Sequence, residues 1–287
     1  MKEKLLIGFI GQGFIGKNYS DDFEKRGYLV IRYAKEAPYF ENKDKIKDCD
    51  FVFIAVPTPT TPLGFNFEIL KEVLALIGKG KVAIIKSTIL PGTCKILQEL
   101  FPEITIFHSP EFLTEKTAAY DAANPTRNII GILDKEKNRA QAEEVLALLP
   151  NSPLNLVCSA KEAELIKYAS NGFLFLKTVY ANILYDLAQK EGSDWEVIKK
   201  GMAADPRIGE SHLNPVQASS EGKKIGRGAG GHCFVKDFAA LIEYVNKLQP
   251  DSLSHNFLKS AQDKNLELLT GSAKDPEVLK EVFGLEV

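Results

Sequence analysis

The sequence lacks the patterns that mark several common classes of protein. Its four cysteines are scattered without C-x-x-C spacing, which argues against a zinc site and a disulfide framework, so we expect no bound metal. No apolar run approaches the ~20 residues that cross a bilayer, so no membrane partner is expected. The formal net charge is -2, which leaves no overall positive field for a polyanion. Nucleic acid is therefore not an expected partner.

The amino terminus also lacks the features of a secretion signal. The stretch "MKEKLLIGFIGQG" has no small-residue cleavage site and runs straight into a strand and turn pattern, so we expect a cytoplasmic protein. The chain has 287 residues, of which 45% are hydrophobic and 26% charged. This length and mixture suit two globular domains, each with its own core.

Short apolar runs alternate with helical stretches from residue 5 to residue 158. Strands separated by helices indicate a parallel sheet, so the pattern predicts a doubly wound α/β (Rossmann) domain over residues 1–158. The predicted strands are "LLIGFI", "YLVIRY", "FVFIAV", "KVAIIKS", "ITIFHS", "NIIGIL" and "LNLVC".

A mostly helical domain is predicted for residues 159–287. It begins with one long helix, which has Ser159 as N-cap and ends at Gly192. Its apolar content predicts packing on other helices or on a second subunit, and a homodimer through this domain is expected. Residues 209–232 are interpreted as a loop, with helices in "DFAALIEYVNKL" and "SHNFLKSAQDKNLELL". A last helix has Asp275 as N-cap and Pro276 at its first position.

The segment "IGFIGQGFIGK" carries the cofactor signal. Gly11, Gly13 and Gly16 stand in G-x-G-x-x-G register after the first strand and at the head of a helix. Such glycines permit a tight turn and close approach to a pyrophosphate at the helix N-terminus, whereas a plain glycine turn is the alternative. A dinucleotide cofactor is therefore expected.

The choice between NAD and NADP depends on the end of the second strand. Tyr33 and Ala34 stand where an acidic ribose ligand is usual, and Glu36 lies near the expected distance from the glycines. Arg32 or Lys35 would instead accept a 2'-phosphate. We favour NAD, and NADP is not excluded.

Three polar segments follow predicted strands, where a doubly wound sheet has its ligand crevice. They are "AVPTPTTPLG", "KSTILPGT" and "HSPEFLTE". Together with "EAELIKYASN", "DPRIG" and "GGHCFVKD", they resemble the UDP-glucose/GDP-mannose 6-dehydrogenase family from about residue 5 to about residue 265. The resemblance implies a nucleotide-sugar substrate whose C6 alcohol is oxidised to a carboxylate with two NAD per turnover.

An alcohol that is oxidised twice passes through an aldehyde, which a thiolate can capture as a thiohemiacetal. The resemblance makes Cys233 this nucleophile, with Lys236 favouring the thiolate and the preceding glycines admitting substrate to the backbone. An inert loop cysteine is the alternative.

The resemblance also assigns the groups around the cysteine. Glu111 is the base that hydrolyses the thioester, with Thr88 and Asp237 holding the water and Glu115 assisting. The alternative for either glutamate is an exposed acid at a helix start, which we favour for Glu115 alone. Lys167 and Asn171 stand one helical turn apart and hold an oxyanion, although such a pair is usually just a polar helix face.

The expected contacts follow from these segments. Cofactor contacts are predicted for Gly11, Gly13, Phe14, Ile15, Gly16, Val56, Pro57, Thr58, Ser87, Thr88, Glu115 and Lys236. Substrate contacts are predicted for Phe112, Leu113, Lys167, Asn171, Arg207, Lys223, Lys224, Arg227 and Gly230.

The pattern departs from the family near the end of the chain. Family members continue into a third domain of roughly a hundred residues or more that grips the nucleotide, whereas this sequence stops at Val287. We hypothesise that Lys223, Lys224 and Arg227 clamp a substrate diphosphate instead, with a solvated basic loop as the alternative. Val235 replaces the usual proline, which changes loop stiffness more than chemistry.

Two other functions are compatible with the sequence. The first is a β-hydroxyacid dehydrogenase, which has a similar length and a corresponding lysine and asparagine but needs no nucleophilic cysteine. The second is a non-catalytic protein that binds NAD without turnover.

Overall fold

The computed structural model describes residues 5–286; the first four residues, where the signal-free start was predicted, and Val287 lie outside this range. The strands are β1 (Leu6–Ile10), β2 (Leu29–Tyr33), β3 (Phe51–Ile54), β4 (Thr60–Thr61), β5 (Gly64–Phe65), β6 (Val82–Ile85), β7 (Thr105–His108), β8 (Arg127–Ile132), β9 (Leu154–Ser159), β10 (Val216–Gln217) and β11 (Gly226–Arg227). The α-helices are α1 (Phe14–Lys25), α2 (Glu68–Leu74), α3 (Thr93–Leu100), α4 (Ala118–Ala123), α5 (Lys135–Leu148), α6 (Ala160–Lys190), α7 (Trp195–Ala203), α8 (Gly231–Leu248), α9 (Leu253–Ser272) and α10 (Pro276–Phe283). Two 3-10 helices cover Phe40–Asp48 and Glu115–Thr117.

The described chain packs as two compact units. The first unit contains residues 5–58 and 66–167, and the second contains residues 59–65 and 168–286. The boundary by packing therefore falls inside α6, some residues beyond the predicted division after residue 158. The assignment of residues 1–158 and 159–287 as functional domains stays a prediction.

All the predicted strands lie in one sheet of the first unit. Its order is β2-β1-β3-β6-β7-β8-β9, a seven-stranded sheet, which confirms the doubly wound α/β fold class. One strand pair departs from the predicted parallel arrangement, because β8 runs antiparallel to β7 and pairs through His108 and Gly131. The connection between them holds only a 3-10 turn and the six-residue helix α4, so it makes no full crossover.

Aromatic side chains form the centre of the core under this sheet. The rings of Phe9 and Phe53 stack at a centroid distance of 5.0 Å, and Phe23 of α1 meets Phe9 edge-on at 5.2 Å. Each of the three side chains is buried. This packing holds α1 against β1, which places the glycine turn between them.

The long helix α6 begins and ends as predicted. Ser159 Oγ accepts the amide of Glu162 at 3.3 Å, and Glu162 Oε2 accepts the amide of Ser159 at 2.6 Å, which together form a capping box. After Lys190 the chain turns at Gly192, whose φ of 68° lies in the left-handed region.

Helix α8 begins earlier than predicted. It starts at Gly231, so Cys233 lies in the first turn of a helix rather than in a loop. The predicted loop also contains the short antiparallel pair of β10 and β11. The sequence did not indicate the helix start because the glycines before Cys233 are poor helix formers.

Helix α10 has Pro276 at its first position, as predicted, but the assignment of Asp275 as its N-cap is wrong in one respect. The Asp275 side chain makes no capping bond to α10. Its carboxylate accepts the amide of Gly231 at 2.8 Å and the hydroxyl of Ser219. Within residues 5–286, no helix combines the length and apolar character that a membrane crossing requires.

Candidate active site

The glycine turn between β1 and α1 has the shape that a pyrophosphate requires. Gly11 has a φ of 89°, and a β-carbon on Gly16 would collide with the carbonyl oxygen of Gly11. A β-carbon on Gly13 would instead meet open space. Gly13 also gives α1 no side-chain cap, which leaves the amides of its first turn, at Phe14 and Ile15, for an anion. The turn therefore fits a dinucleotide.

The second strand disfavours a 2'-phosphate. Arg32 pairs with Asp21 at 2.6 Å and with Glu24 at 2.7 Å, and its side chain is only 10% exposed. Two carboxylates thus compensate its charge. Lys35 pairs with Glu72 at 3.2 Å on the surface, and Glu36 is exposed. These contacts favour NAD over NADP at this end of the sheet.

Gly13→Ala is expected to weaken NAD binding, whereas Gly16→Ala is expected to lower the stability of the fold. Gly13→Ala adds a methyl group in open space, so we expect an unchanged melting temperature and NAD binding at least ~10-fold weaker, because the methyl group obstructs the pyrophosphate. Gly16→Ala forces the turn open and should lower stability by about 1–3 kcal/mol. Thermal unfolding and titration calorimetry with NAD measure both effects. Undiminished NAD binding by Gly13→Ala would show that the turn does not hold the cofactor.

Hydrogen bonds connect the loop that follows β3 to the loop that follows β6. Ser87 Oγ accepts the amide of Val56 at 3.0 Å and donates to the Val56 carbonyl at 2.7 Å. Thr58 Oγ1 donates to the Thr88 carbonyl at 2.7 Å. Pro57 is the exposed residue in this pair of loops. The structure thus brings together the predicted cofactor contacts that follow these two strands.

Glu111 and Lys167 form a buried ion pair in the first unit. Lys167 Nζ donates to Glu111 Oε1 at 2.7 Å and to the Glu111 carbonyl at 2.8 Å, and the side chains are 6% and 5% exposed. Glu111 Oε2 accepts the amide of Leu113 at 2.8 Å. Glu111 is therefore not an exposed acid at a helix start. Glu115 is exposed and starts a 3-10 helix, as the hypothesis of an exposed acid at a helix start predicts for it.

A buried lysine that the sequence did not indicate lies beside this pair. Lys86 Nζ donates to the Ser109 carbonyl at 3.2 Å and to its hydroxyl at 3.1 Å, and it lies 4.3 Å from the centre of the Tyr19 ring. Burial lowers the pKa of Lys86 to about 7; the Glu111 carboxylate opposes this and the Lys167 ammonium adds to it. Lys86 precedes the S-T segment, but nothing in that segment alone marked the lysine as buried.

Lys86→Met should change the stability of the protein in a pH-dependent way. In the folded protein the amine loses its proton near pH 7, whereas its ordinary pKa is 10.5. Wild-type stability therefore gains from this group as the pH rises from about 7 to about 10.5, and the variant lacks the gain. The stability of Lys86→Met relative to wild type should fall by about 2–4 kcal/mol between pH 7 and pH 10. Urea unfolding at both pH values tests this, and equal differences would contradict it.

A second missed residue is Glu164, which is fully buried on α6. Its carboxylate accepts the amides of Gly92 at 2.5 Å and of Cys94 at 2.8 Å at the start of α3. Burial raises the pKa of Glu164, and these amides oppose the rise. Glu164 thus ties the S-T-x-x-P-G-T segment to the helix that carries Lys167.

The second unit holds a separate polar cluster around Asp237. Asn171 Nδ2 donates to Asp237 Oδ2 at 2.7 Å, and Lys236 Nζ donates to Asp237 Oδ1 at 2.5 Å. The Asp237 side chain is 2% exposed. Lys167 and Asn171 thus bind different carboxylates, and their joint role at an oxyanion stays a prediction.

Cys233 differs from the other cysteines in its exposure. Cys49, Cys94 and Cys158 are buried, and burial raises the pKa of Cys49 to about 12 and of Cys158 to about 11. Cys233 is exposed and lies in the first turn of α8. The positive end of a helix dipole stabilises a thiolate at such a position. Of the four thiols, Cys233 is the exposed one, and its role as a nucleophile stays a prediction.

The glycines before Cys233 serve the packing of the protein itself. A β-carbon on Gly226 would collide with Ser272 and Lys274. One on Gly228 would collide with Asn265, and one on Gly230 with Asp275. Packing inside the unit therefore accounts for these three glycines, and the expectation that they admit substrate to the backbone stays a prediction. They make room for the end of α9 and the residues that follow it.

Some of the predicted substrate residues contact other side chains of the protein, and others are exposed. Phe112 stacks under Arg127, whose guanidinium carbon lies 3.6 Å from the ring centre, and Leu113 is half-buried. Arg227 pairs with Asp186 at 2.6 Å and also bonds Asn182, so it has partners inside its unit. Lys223 pairs with Glu277 at 2.6 Å. Arg207 pairs with Asp205 at 2.6 Å, and both it and Lys224 are exposed.

The seven-stranded sheet and its glycine turn define a dinucleotide-binding α/β protein. Comparison with known families is more specific. Residues 36–149 match the NAD binding domain and residues 161–267 the central domain of the UDP-glucose/GDP-mannose dehydrogenase family, so the chain belongs to this family. The NAD binding domain indicates NAD as the cofactor. The glycine turn precedes the matched range, so only its geometry indicates that it fits a dinucleotide.

A curated relative agrees with this assignment, and two solved structures share the fold. The chain is 34% identical over 229 residues to a UDP-glucose 6-dehydrogenase from Rickettsia conorii, covering 76% of this chain and 50% of the relative. The chain thus spans about half the length of the curated relatives it matches. A UDP-glucose dehydrogenase from Pyrobaculum islandicum shares the fold with a TM-score of 0.78 and 24% identity, covering 93% of this chain and 69% of that one. A 3-hydroxyisobutyrate dehydrogenase from Mycobacterium tuberculosis gives a TM-score of 0.70 at 18% identity, covering 94% and 95%.

Proposed function

We propose that the chain is an NAD-dependent nucleotide-sugar 6-dehydrogenase of the UDP-glucose type. Family membership supports an oxidoreductase that acts on a nucleotide sugar. The observation that carries the finer proposal is the position of Cys233, an exposed thiol in the first turn of α8, followed by Lys236 and the buried Asp237. A dehydrogenase that stops at the carbonyl would have no use for such a thiol.

The reaction oxidises a primary alcohol to a carboxylate in two stages. The alcohol first becomes an aldehyde, and the Cys233 thiolate then adds to its carbonyl carbon to give a thiohemiacetal. Loss of a second hydride and a proton from the thiohemiacetal gives a thioester, which water cleaves to the carboxylate with return of the thiol. Bound NAD+ would accept the hydride of each oxidation, so one alcohol, one water and two NAD+ yield one carboxylate, two NADH and three protons.

The remaining groups are proposed to handle charge and water. Lys167 and Asn171 stabilise the oxygen that becomes negative as the tetrahedral species forms. Glu111 accepts a proton from the water that attacks the thioester, and its own charge is compensated by Lys167 until then. Thr88 and Asp237 are proposed to orient that water. Lys236, which bonds Asp237 at 2.5 Å, adds positive charge one helical turn after the thiol.

We further propose that the second unit forms a homodimer. Apolar side chains of α6 and α9 line a groove of about 540 Å³ in this unit, and Phe173, Tyr180 and Phe257 among them are 66%, 56% and 61% exposed. So much exposed aromatic surface is unusual on a face that meets only water. Phe173→Glu should convert the dimer to a monomer in light scattering after size exclusion. A monomeric wild type at micromolar concentration would reject the proposal.

A β-hydroxyacid dehydrogenase is the second candidate, because a 3-hydroxyisobutyrate dehydrogenase shares the fold over nearly its whole length. Product stoichiometry separates the two functions. Nucleotide sugars and β-hydroxyacids should be screened with NAD and with NADP while reduced cofactor is followed by absorbance. We expect two NADH and one carboxylate per nucleotide sugar. One NADH and a carbonyl product would support the second candidate, and NAD binding without turnover would reject both.

A further inference from the structure

The last part of the chain wraps the segment that leads to Cys233. We call residues 272–281, which run from the last residue of α9 into α10, the C-terminal corner. Its contacts are Ser272 Oγ with the Arg227 amide (2.9 Å), Lys274 Nζ with the Gly228 carbonyl (2.9 Å), Asp275 with the Gly231 amide (2.8 Å) and the Ser219 hydroxyl, Glu277 with Lys223 (2.6 Å), and Glu281 with His232 (3.4 Å). The corner thus reaches the chain at six positions before the cysteine.

The backbone bonds are the important ones in this set. The corner satisfies one polar backbone group at each of Arg227, Gly228 and Gly231, and Asn265 of α9 bonds both the amide and the carbonyl of Ala229, at 2.7 and 3.0 Å. A glycine-rich segment has many accessible conformations, so bonds to successive residues are what restrict it to one. The last of these bonds ends on the first residue of α8, two positions before Cys233.

Two adjacent charged residues of the corner are buried, which ordinary surface packing does not explain. Lys274 is 1% and Asp275 is 3% exposed. Burial lowers the pKa of Lys274, and the adjacent Asp275 carboxylate opposes this. Removing a charged pair from water is costly unless its hydrogen bonds are satisfied. Here the Lys274 ammonium and the Asp275 carboxylate both form hydrogen bonds with the segment before Cys233.

The corner lies beyond the part of the chain that matches the family. The match to the central domain ends at residue 267, before Ser272, Lys274 and Asp275. Helix α10 is nevertheless packed into the second unit, since Val278, Leu279 and Val282 share a core cluster with Val235 and Ala239 of α8. The corner therefore contacts both the backbone before Cys233 and the helix that carries it.

We propose that the C-terminal corner positions the Cys233 thiol, with Asp275 as its central positioning residue. Asp275 Oδ2 receives both the Gly231 amide and the Ser219 hydroxyl, and its carboxylate occupies the space that Gly230 leaves by having no side chain. This sets the turn at Gly230 and Gly231 and so the direction in which the first turn of α8 presents the thiol. The proposal rests on the proposed function in that Cys233 is taken as the nucleophile.

The test compares Asp275→Ala, which removes the carboxylate, with Asp275→Asn, which keeps an acceptor oxygen. Asp263→Ala is the matched control, because Asp263 is an exposed carboxylate on α9 that pairs only across the surface with Lys259. Hydrogen exchange of the amides of residues 228–236 reports the turn directly. Aldehyde released during turnover, trapped with a hydrazine, reports whether the thiol still captures the intermediate.

We expect these amides to exchange at least ~10-fold faster in Asp275→Ala, with Asp275→Asn in between and Asp263→Ala within about 2-fold of wild type. We also expect Asp275→Ala to release aldehyde and to yield fewer than two NADH per nucleotide sugar consumed, with an unchanged Michaelis constant for NAD. Asp275→Asn should restore most of the capture. If Asp275→Ala does not fold, Asp275→Asn and Ser272→Ala carry the same comparison.

Two results would overturn the proposal. One is unchanged exchange of residues 228–236 in a folded Asp275→Ala protein, because the corner would then not hold the turn. The other is accelerated exchange with wild-type aldehyde capture, because the turn would then not position the thiol. If wild type oxidises no nucleotide sugar, the proposed function fails by itself, and the exchange measurement still decides whether the corner holds the turn.

Discussion

Cys233→Ser should stop the production of carboxylate from a nucleotide sugar. A serine hydroxyl is a much weaker nucleophile than a thiolate at neutral pH, so capture of the aldehyde and formation of the acyl intermediate both fail. We expect the rate of carboxylate formation to fall by at least ~1,000-fold, with no more than one NADH per substrate. Product analysis by mass spectrometry together with the absorbance of NADH measures both quantities.

Cys158→Ala is the matched control for this change. Burial raises the pKa of the Cys158 thiol to about 11, so it remains protonated and has no role in the chemistry. Its replacement should affect stability but leave two NADH per carboxylate. NAD binding should be the same in both variants and in wild type. A Cys233→Ser enzyme that still made carboxylate at a rate near wild type would remove the basis of the proposed function.

Lys167→Met should have the largest effect on stability. It leaves the Glu111 carboxylate buried beside an apolar side chain, and breaking a buried pair from one side costs about 3–5 kcal/mol. The double variant Glu111→Gln/Lys167→Met removes both charges and should recover more than half of the loss. Urea unfolding of the two single variants, the double variant and wild type gives the coupling energy between the side chains.

An exposed ion pair provides the control for that cycle. Arg139 Nε lies 3.0 Å from Glu143 Oε1 on α5, and the two side chains are 63% and 56% exposed. Arg139→Met should cost no more than about 0.5 kcal/mol, because water screens such a pair. If Lys167→Met cost as little as Arg139→Met, then Glu111 would not depend on Lys167 for its charge compensation. Turnover by Lys167→Met should also fall, since the proposed oxyanion donor is lost.

The sequence indicated candidate site residues by their type and spacing but not their partners in the structure. The glycine register, the exposed cysteine and the i, i+4 spacing of Lys167 and Asn171 could be read from short segments, since each depends on neighbours in the chain. That Lys167 binds Glu111 and Asn171 binds Asp237 could not, because those partners lie far away in sequence. Lys86 and Glu164 were missed for the same reason, as their burial depends on segments that pack around them.

Local chemistry in the sequence determined the strands of the sheet, the capping of α6 by Ser159 and Glu162, and the sharp turn at Gly11 and Gly16. These features follow from side-chain periodicity and backbone sterics over a few residues. Only the tertiary structure decided that β8 enters the sheet antiparallel to β7, that α8 already begins at Gly231, and that Asp275 bonds Gly231 rather than its own helix. Each of these depends on which distant groups satisfy the hydrogen bonds of a segment, and that competition is settled by packing rather than by neighbouring residues.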